Sequence, residues 1–172
     1  MKRSKLTDMV IFALLGTIMF ISKILMEGLP NIHPLAMFIV TYTYVYRVKA
    51  LIPIYIFVLE VGLLNGFNVW WIPYIYIWTI LWALAMLIPK RASLPIKAVF
   101  GTIFCGLHGI LYGTLYAPYQ AIMFGLDFEG MIAWIVAGFP WDITHMIGNL
   151  AMSVLIIPLY KIMTTLEQKR IK

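Results

Sequence analysis

Apolar residues run through this chain in long stretches, and short polar breaks separate them at intervals close to a membrane thickness. The first stretch covers about Asp8 to Gly28 and closes on Gly28-Leu29-Pro30. Others follow at about 34–46, 50–64 and 70–88, the last closed by Pro89-Lys90-Arg91. A fifth spans about 96–116, ended by Ala117-Pro118, and a sixth starts near Pro140, a good first-turn residue, and continues to about Tyr160. Each is too long and too uniformly apolar for a strand and reads as a helix. The second and third are short against the ~20 residues that cross about 30 Å of hydrocarbon. A re-entrant hairpin is therefore an alternative for that pair. Two crossings are preferred, because the hairpin would strand Arg47 and Lys49.

The basic residues order these helices. Twelve of the thirteen Lys and Arg residues fall in four clusters: Lys2/Arg3/Lys5, Arg47/Lys49, Lys90/Arg91/Lys97 and Lys161/Lys169/Arg170/Lys172. Basic loops stay on the cytoplasmic face. Successive clusters on one face require an even number of crossings between them. The expectation is an all-α integral membrane protein: a single domain over 1–172, a bundle of six transmembrane helices with both termini cytoplasmic.

Composition supports this reading. The chain is 63% hydrophobic and 12% charged, against roughly half and a quarter in soluble domains. The net charge of +6 reflects the inner loops and contact with anionic lipid, and no nucleic-acid partner is expected. The lone Cys105 rules out a disulfide framework or a thiol-rich metal site. The first apolar run has no small-residue cleavage site and is expected to be retained.

Polar groups inside apolar helices are costly and by default point to function. Asp142, His145 and Asn149 stand at i, i+3, i+7 in the last stretch and share one helical face. They can serve a ligand; equally, Asp142 can cap the helix start while the other two bind neighbouring helices. His108, Tyr112 and Tyr116 share a face of the fifth stretch, as do Tyr74 and Trp78 of the fourth. An interfacial aromatic belt explains the outermost rings; Trp78 and Tyr112 lie deeper and suit the wall of a pocket for a flat heterocycle. Glu60 must face the bundle, toward a ligand, toward His108, or protonated. Lys23 and Glu27 are spaced to pair. In the outer connections, Asn31 and His33 are candidate lid contacts, and the apolar Met131–Ala137 segment of a long 118–139 loop reads as an interfacial helix or lid. No two histidines have helical ligand spacing, so no metal is expected. Hydrolase, ATPase and cofactor motifs are absent, so any energy for transport comes from a partner or an ion gradient.

The stretch Gly138-Phe-Pro-Trp-Asp142-Ile-Thr-His145-Met-Ile-Gly-Asn149, with Leu107-His108-Gly109 to Ala117, resembles the substrate-binding S components of energy-coupling factor (ECF) transporters. Many of these open their last helix with Pro-(aromatic)-Asp-x-x-His-x-x-x-Asn. The resemblance implies a multi-pass protein of a prokaryotic cell membrane that captures a vitamin-like micronutrient from outside. Its pocket would lie between the outer halves of the last three spans, beneath the first and third outer connections. It further implies a membrane scaffold subunit and two ATPase subunits as partners. Docking would fall on a small-residue pattern in the first span, here Ala13, Gly16 and Thr17, with Thr17 where Ala is usual. The family's cobalt and nickel members carry histidine at position 2; this chain has Lys2. Two competing expectations are a solo carrier coupled to protons or ions through Glu60 or Asp142, and a small membrane enzyme or assembly factor.

Overall fold

The computed structural model describes residues 5–171, so Lys2, Arg3 and Lys172 of the terminal basic clusters lie outside the described residues. Among the described residues every regular element is helical: α1 Lys5–Leu25, α2 Leu35–Tyr46, α3 Leu51–Asn65, α4 Tyr74–Met86, α5 Leu94–Ile110, α6 Tyr112–Phe124, α7 Phe128–Ser153 and α8 Ile156–Ile171. A short 3-10 turn, Arg47–Ala50, joins α2 to α3. Three stretches are long and apolar enough to cross a membrane: Lys5–Leu25, Leu35–Asn65 and Leu94–Phe124. α7 and α8 form a fourth if the pair, bent by 48°, counts as one. The bend precedes Pro158, which has no N–H to continue the helical ladder. Leu63 (68% exposed), Val136 (67%) and Val154 (71%) show how apolar the outer surface is. Water would penalise so wide an apolar surface, whereas hydrocarbon accepts it.

α2 lies at the centre. Ten of its twelve residues are buried, and it packs on α4, α5 and α8. Its shortness has a physical reason: neighbouring helices cover it, so lipid thickness does not set its length. The Thr41 and Thr43 hydroxyls donate back to Met37 O (2.8 Å) and Ile39 O (2.6 Å), so neither is left dry in the core. Arg47 then reverses the chain with φ +57° and ψ −125°. Its guanidinium donates to Met86 O (2.7 Å) and Ile88 O (2.8 Å), satisfying carbonyls at the end of α4.

α3 returns alongside α1. A Cβ on Gly16 would stand 2.6 Å from Ile56 Cγ2 and 2.9 Å from Pro53 O, so only glycine permits this approach. Next to it, Thr17 Oγ1 donates to Glu60 Oε1 at 2.6 Å. Asp8 meets Lys49 at 3.5 Å and Arg170 at 2.8 Å, which ties α1, the α2–α3 turn and the end of α8 together.

The last third departs from the expected boundaries. The fifth helix does not end before Pro118: it breaks at Leu111 and resumes as α6, with Pro118 inside it. The sixth does not begin at Pro140. It begins at Phe128, capped by Asp127, whose carboxylate accepts from Gly130 N at 2.7 Å. The expected loop 118–139 is therefore mostly helix, and the Met131–Ala137 segment is continuous with the helix that carries Asp142. Asp142 lies well inside α7 and does not cap it.

Candidate ligand site

Two helices create the site by approaching closely. A Cβ on Gly109 would lie 2.6 Å from Met146 Cα, and one on Gly113 would lie 2.6 Å from Asp142 Oδ2. These glycines let α7 press against α5 and α6. In an unbroken helix the Gly113 N–H would pair with Gly109 O; here it donates to Asp142 Oδ1 at 2.9 Å. The carboxylate thus stabilises the break at Leu111 and keeps its second oxygen free. Gly109-x-x-x-Gly113 was the sequence signal for this seam.

Five rings close around the centre of the same region. Trp78 of α4 stacks on His108 of α5 at 5.3 Å between centroids, and Tyr112 lies 5.8 Å from each. Tyr112 meets His145 of α7 at 4.6 Å, His145 meets His33 at 4.9 Å, and His33 returns to Trp78 at 6.2 Å. Trp78, His108, His145 and Asn149 are each at most 2% exposed. The Asn149 amide donates to Cys105 O (3.1 Å), and His108 Nε2 contacts Ile77 O (3.2 Å).

Beside these rings lies a cavity of about 250 Å³ lined by Asn31, Tyr112, Tyr116, Asp142 and His145, with Gly113, Gly138, Trp134 and Trp141. Tyr116 and Trp134 stand nearly parallel, 21° and 6.2 Å apart. A second cavity of about 170 Å³ is lined by Tyr74, His33 and Asn31, with Lys23 and Glu27. Asn31 is common to both linings. It holds φ +61° and donates to Trp141 O at 3.4 Å. Another cavity, about 470 Å³, lies at the other end of the bundle among Arg47, Lys49, Lys90 and Glu167. It is remote from the aromatic rings, and the polar side chains there are largely paired.

Six buried polar atoms in this region have no hydrogen-bond partner among the described residues: His33 Nδ1, Trp78 Nε1, His108 Nδ1, Asp142 Oδ2, His145 Nε2 and Asn149 Oδ1. Buried polar groups are nearly always bonded, so six together mark a place with unused hydrogen-bonding capacity. Burial, partly offset by the residue's own backbone and aided by the Lys23 charge, holds the His33 imidazole down to about 4, so it is neutral at pH 7.

The structure thus brings together Asn31, His33, Trp78, His108, Tyr112, Asp142, His145 and Asn149, with Tyr74 and Tyr116 at the margins. Glu60 does not join them; it faces α1 through Thr17. Gly16 and Thr17 face α3, while Ala13 faces outward. Lys23 and Glu27 flank the smaller cavity without forming an ion pair with each other. Sequence reasoning overlooked Trp134 and Trp141, which were assigned to a loop and to a helix start. No group of three or more His, Cys, Asp or Glu residues among those described is placed to hold a metal ion. Comparison with protein-family models, curated proteins and solved structures finds no match to this chain.

Proposed function

We propose that this protein is the substrate-capture subunit of an ATP-driven importer for a small, vitamin-like heterocycle, working in the manner of an ECF S component in a prokaryotic cell membrane. The carrying observation is the set of six unpartnered polar atoms beside an aromatic-lined cavity. A helical bundle left to itself would satisfy or replace such groups, each costing ~1–3 kcal/mol when buried unpaired.

In this reading six crossings leave both termini cytoplasmic. Asp8 and Arg170 pair near the basic clusters, and the aromatic rings lie toward the outside. The chain captures its ligand and does no chemistry on it. ATP hydrolysis belongs to two partner ATPases that act through a membrane scaffold. Docking falls to the outward face of α1 around Ala13, since Gly16 and Thr17 are occupied by α3. Glu60 supports a second reading: its Oε2 is buried without a partner, as a proton-coupled solo carrier would require. Uptake abolished by an uncoupler, yet intact without ATPase partners, would favour that alternative.

The deciding experiment is mass spectrometry of small molecules released by denaturing the detergent-purified protein. The expected result is a stoichiometric heterocycle. A protein that emerges empty, and stays empty after incubation with extracts of the growth medium, overturns the capture reading.

A further inference from the structure

The donor and acceptor character of the unpartnered atoms specifies the ligand more narrowly. Resting on the capture reading, we infer that the ligand is a planar, neutral or cationic heterocycle that presents N–H donors, an amino-substituted ring in preference to an oxo-substituted one, and that it carries no carboxylate or phosphate.

Each orientation is fixed by the atom's bonded neighbour. Asn149 Nδ2 is committed to Cys105 O, which leaves Oδ1 as an acceptor. Asp142 Oδ1 takes the Gly113 N–H, which leaves Oδ2 as an acceptor. The Ile77 carbonyl can only accept, so His108 Nε2 carries the proton and Nδ1 of the neutral ring is an acceptor. Trp78 Nε1 can only donate. His33 Nδ1 and His145 Nε2 can do either. Two fixed acceptors, joined by Asp142 Oδ2 when that carboxyl is ionised, thus accompany one fixed donor.

Asp142 and His145 line the larger cavity directly and His33 lines the smaller one; Trp78, His108 and Asn149 are buried beyond those linings. Asn31 lines both cavities. Among the residues lining the larger cavity, Asp142 bears the single formal charge and there is no Lys or Arg. Lys23, in the smaller cavity, is accompanied by Glu27. An anion entering here would lose its hydration and meet a carboxylate. Planarity follows from Tyr116 and Trp134, two nearly parallel rings in the lining of the larger cavity, whose flat faces favour stacking with a flat ring. A cavity of about 250 Å³ is below the usual ~300–1,000 Å³ of ligand pockets and suits a ligand of one or two rings.

The test follows tryptophan fluorescence of the purified full-length protein titrated with 4-aminopyrimidine, 4-pyrimidinone and pyrimidine-4-carboxylate. The amino compound should bind about tenfold tighter than the oxo compound, and the carboxylate weakest of all. Asp142→Asn keeps an oxygen for the Gly113 N–H and turns an N–H toward the cavity. It should cut the amino-over-oxo preference about tenfold without shifting thermal unfolding, whereas a purely structural residue would weaken both probes equally. If the variant fails to fold, the three probes on the unaltered protein decide. A carboxylate that binds as well as the amine, an unchanged preference in Asp142→Asn, or no binding by any probe at about 10 mM overturns the inference. Stoichiometric release of an anionic molecule in mass spectrometry would also overturn it while leaving capture intact.

Discussion

At the basic end, Arg47 spends its guanidinium on Met86 O and Ile88 O, Lys97 donates to Lys90 O (3.0 Å) and to Ala92 O, and Tyr44 donates to Lys97 O (3.2 Å). Asp8, Arg170 and Glu167 share charge-assisted bonds, and Arg170 Nε is the exception without a partner. At the aromatic end, six buried polar atoms have none among the described residues. The same chain therefore closes its hydrogen-bond accounts at one end and leaves them open at the other. The basic end spends its polar groups on structure, and in the proposed capture reading the aromatic end keeps its groups for a ligand.

Substitutions can break that contrast. Arg47→Ala should lower stability most, by about 3 kcal/mol, since two charge-assisted bonds are lost, and should leave ligand affinity unchanged; thermal unfolding in detergent reads the first and titration the second. Arg47→Gly should be milder by roughly 1 kcal/mol, because glycine accepts the positive φ. Asn149→Ala should weaken binding of the released ligand by ~1–3 kcal/mol, tenfold to a hundredfold; affinity within twofold of the unaltered protein would remove Asn149 from the site. His145→Phe discriminates more sharply: deleting a buried nitrogen without a partner should leave apo stability within about 1 kcal/mol, or raise it, while weakening binding. A large stability loss there would mean the site is ordinary core.

A further test concerns pH. His33 titrates near 6.5 when unfolded and is held down to about 4 when folded. The unfolded chain thus binds the extra proton first, and the contribution is full above pH 6.5 and lost as pH falls toward 4. Melting temperature should decline across that window, and His33→Gln should flatten the decline. An unchanged slope would show that the imidazole is not sealed in.

Much of the site was legible because helical spacing transfers directly into space: Asp142, His145 and Asn149 share the face expected of i, i+3, i+7, and Trp78 and His108 meet them. The boundaries were less legible. Proline at a helix start and proline inside a long apolar helix look alike in sequence, and Pro140 is the second kind. α2 looked short because sequence does not reveal how fully other helices surround it. Gly16 announced a close approach without saying to what, and the neighbour is α3. Glu60 was legible as inward-facing, but its partner Thr17 was not.

The Asp8–Arg170 bond joins residues 162 positions apart. During synthesis the first helix must therefore wait for the last before its carboxylate meets that partner, a delay of roughly ten to thirty seconds at ordinary translation rates. Until then Asp8 has Lys49 but not Arg170 to pair with, and a chain truncated before Arg170 would lack the bond that joins its first helix to its last.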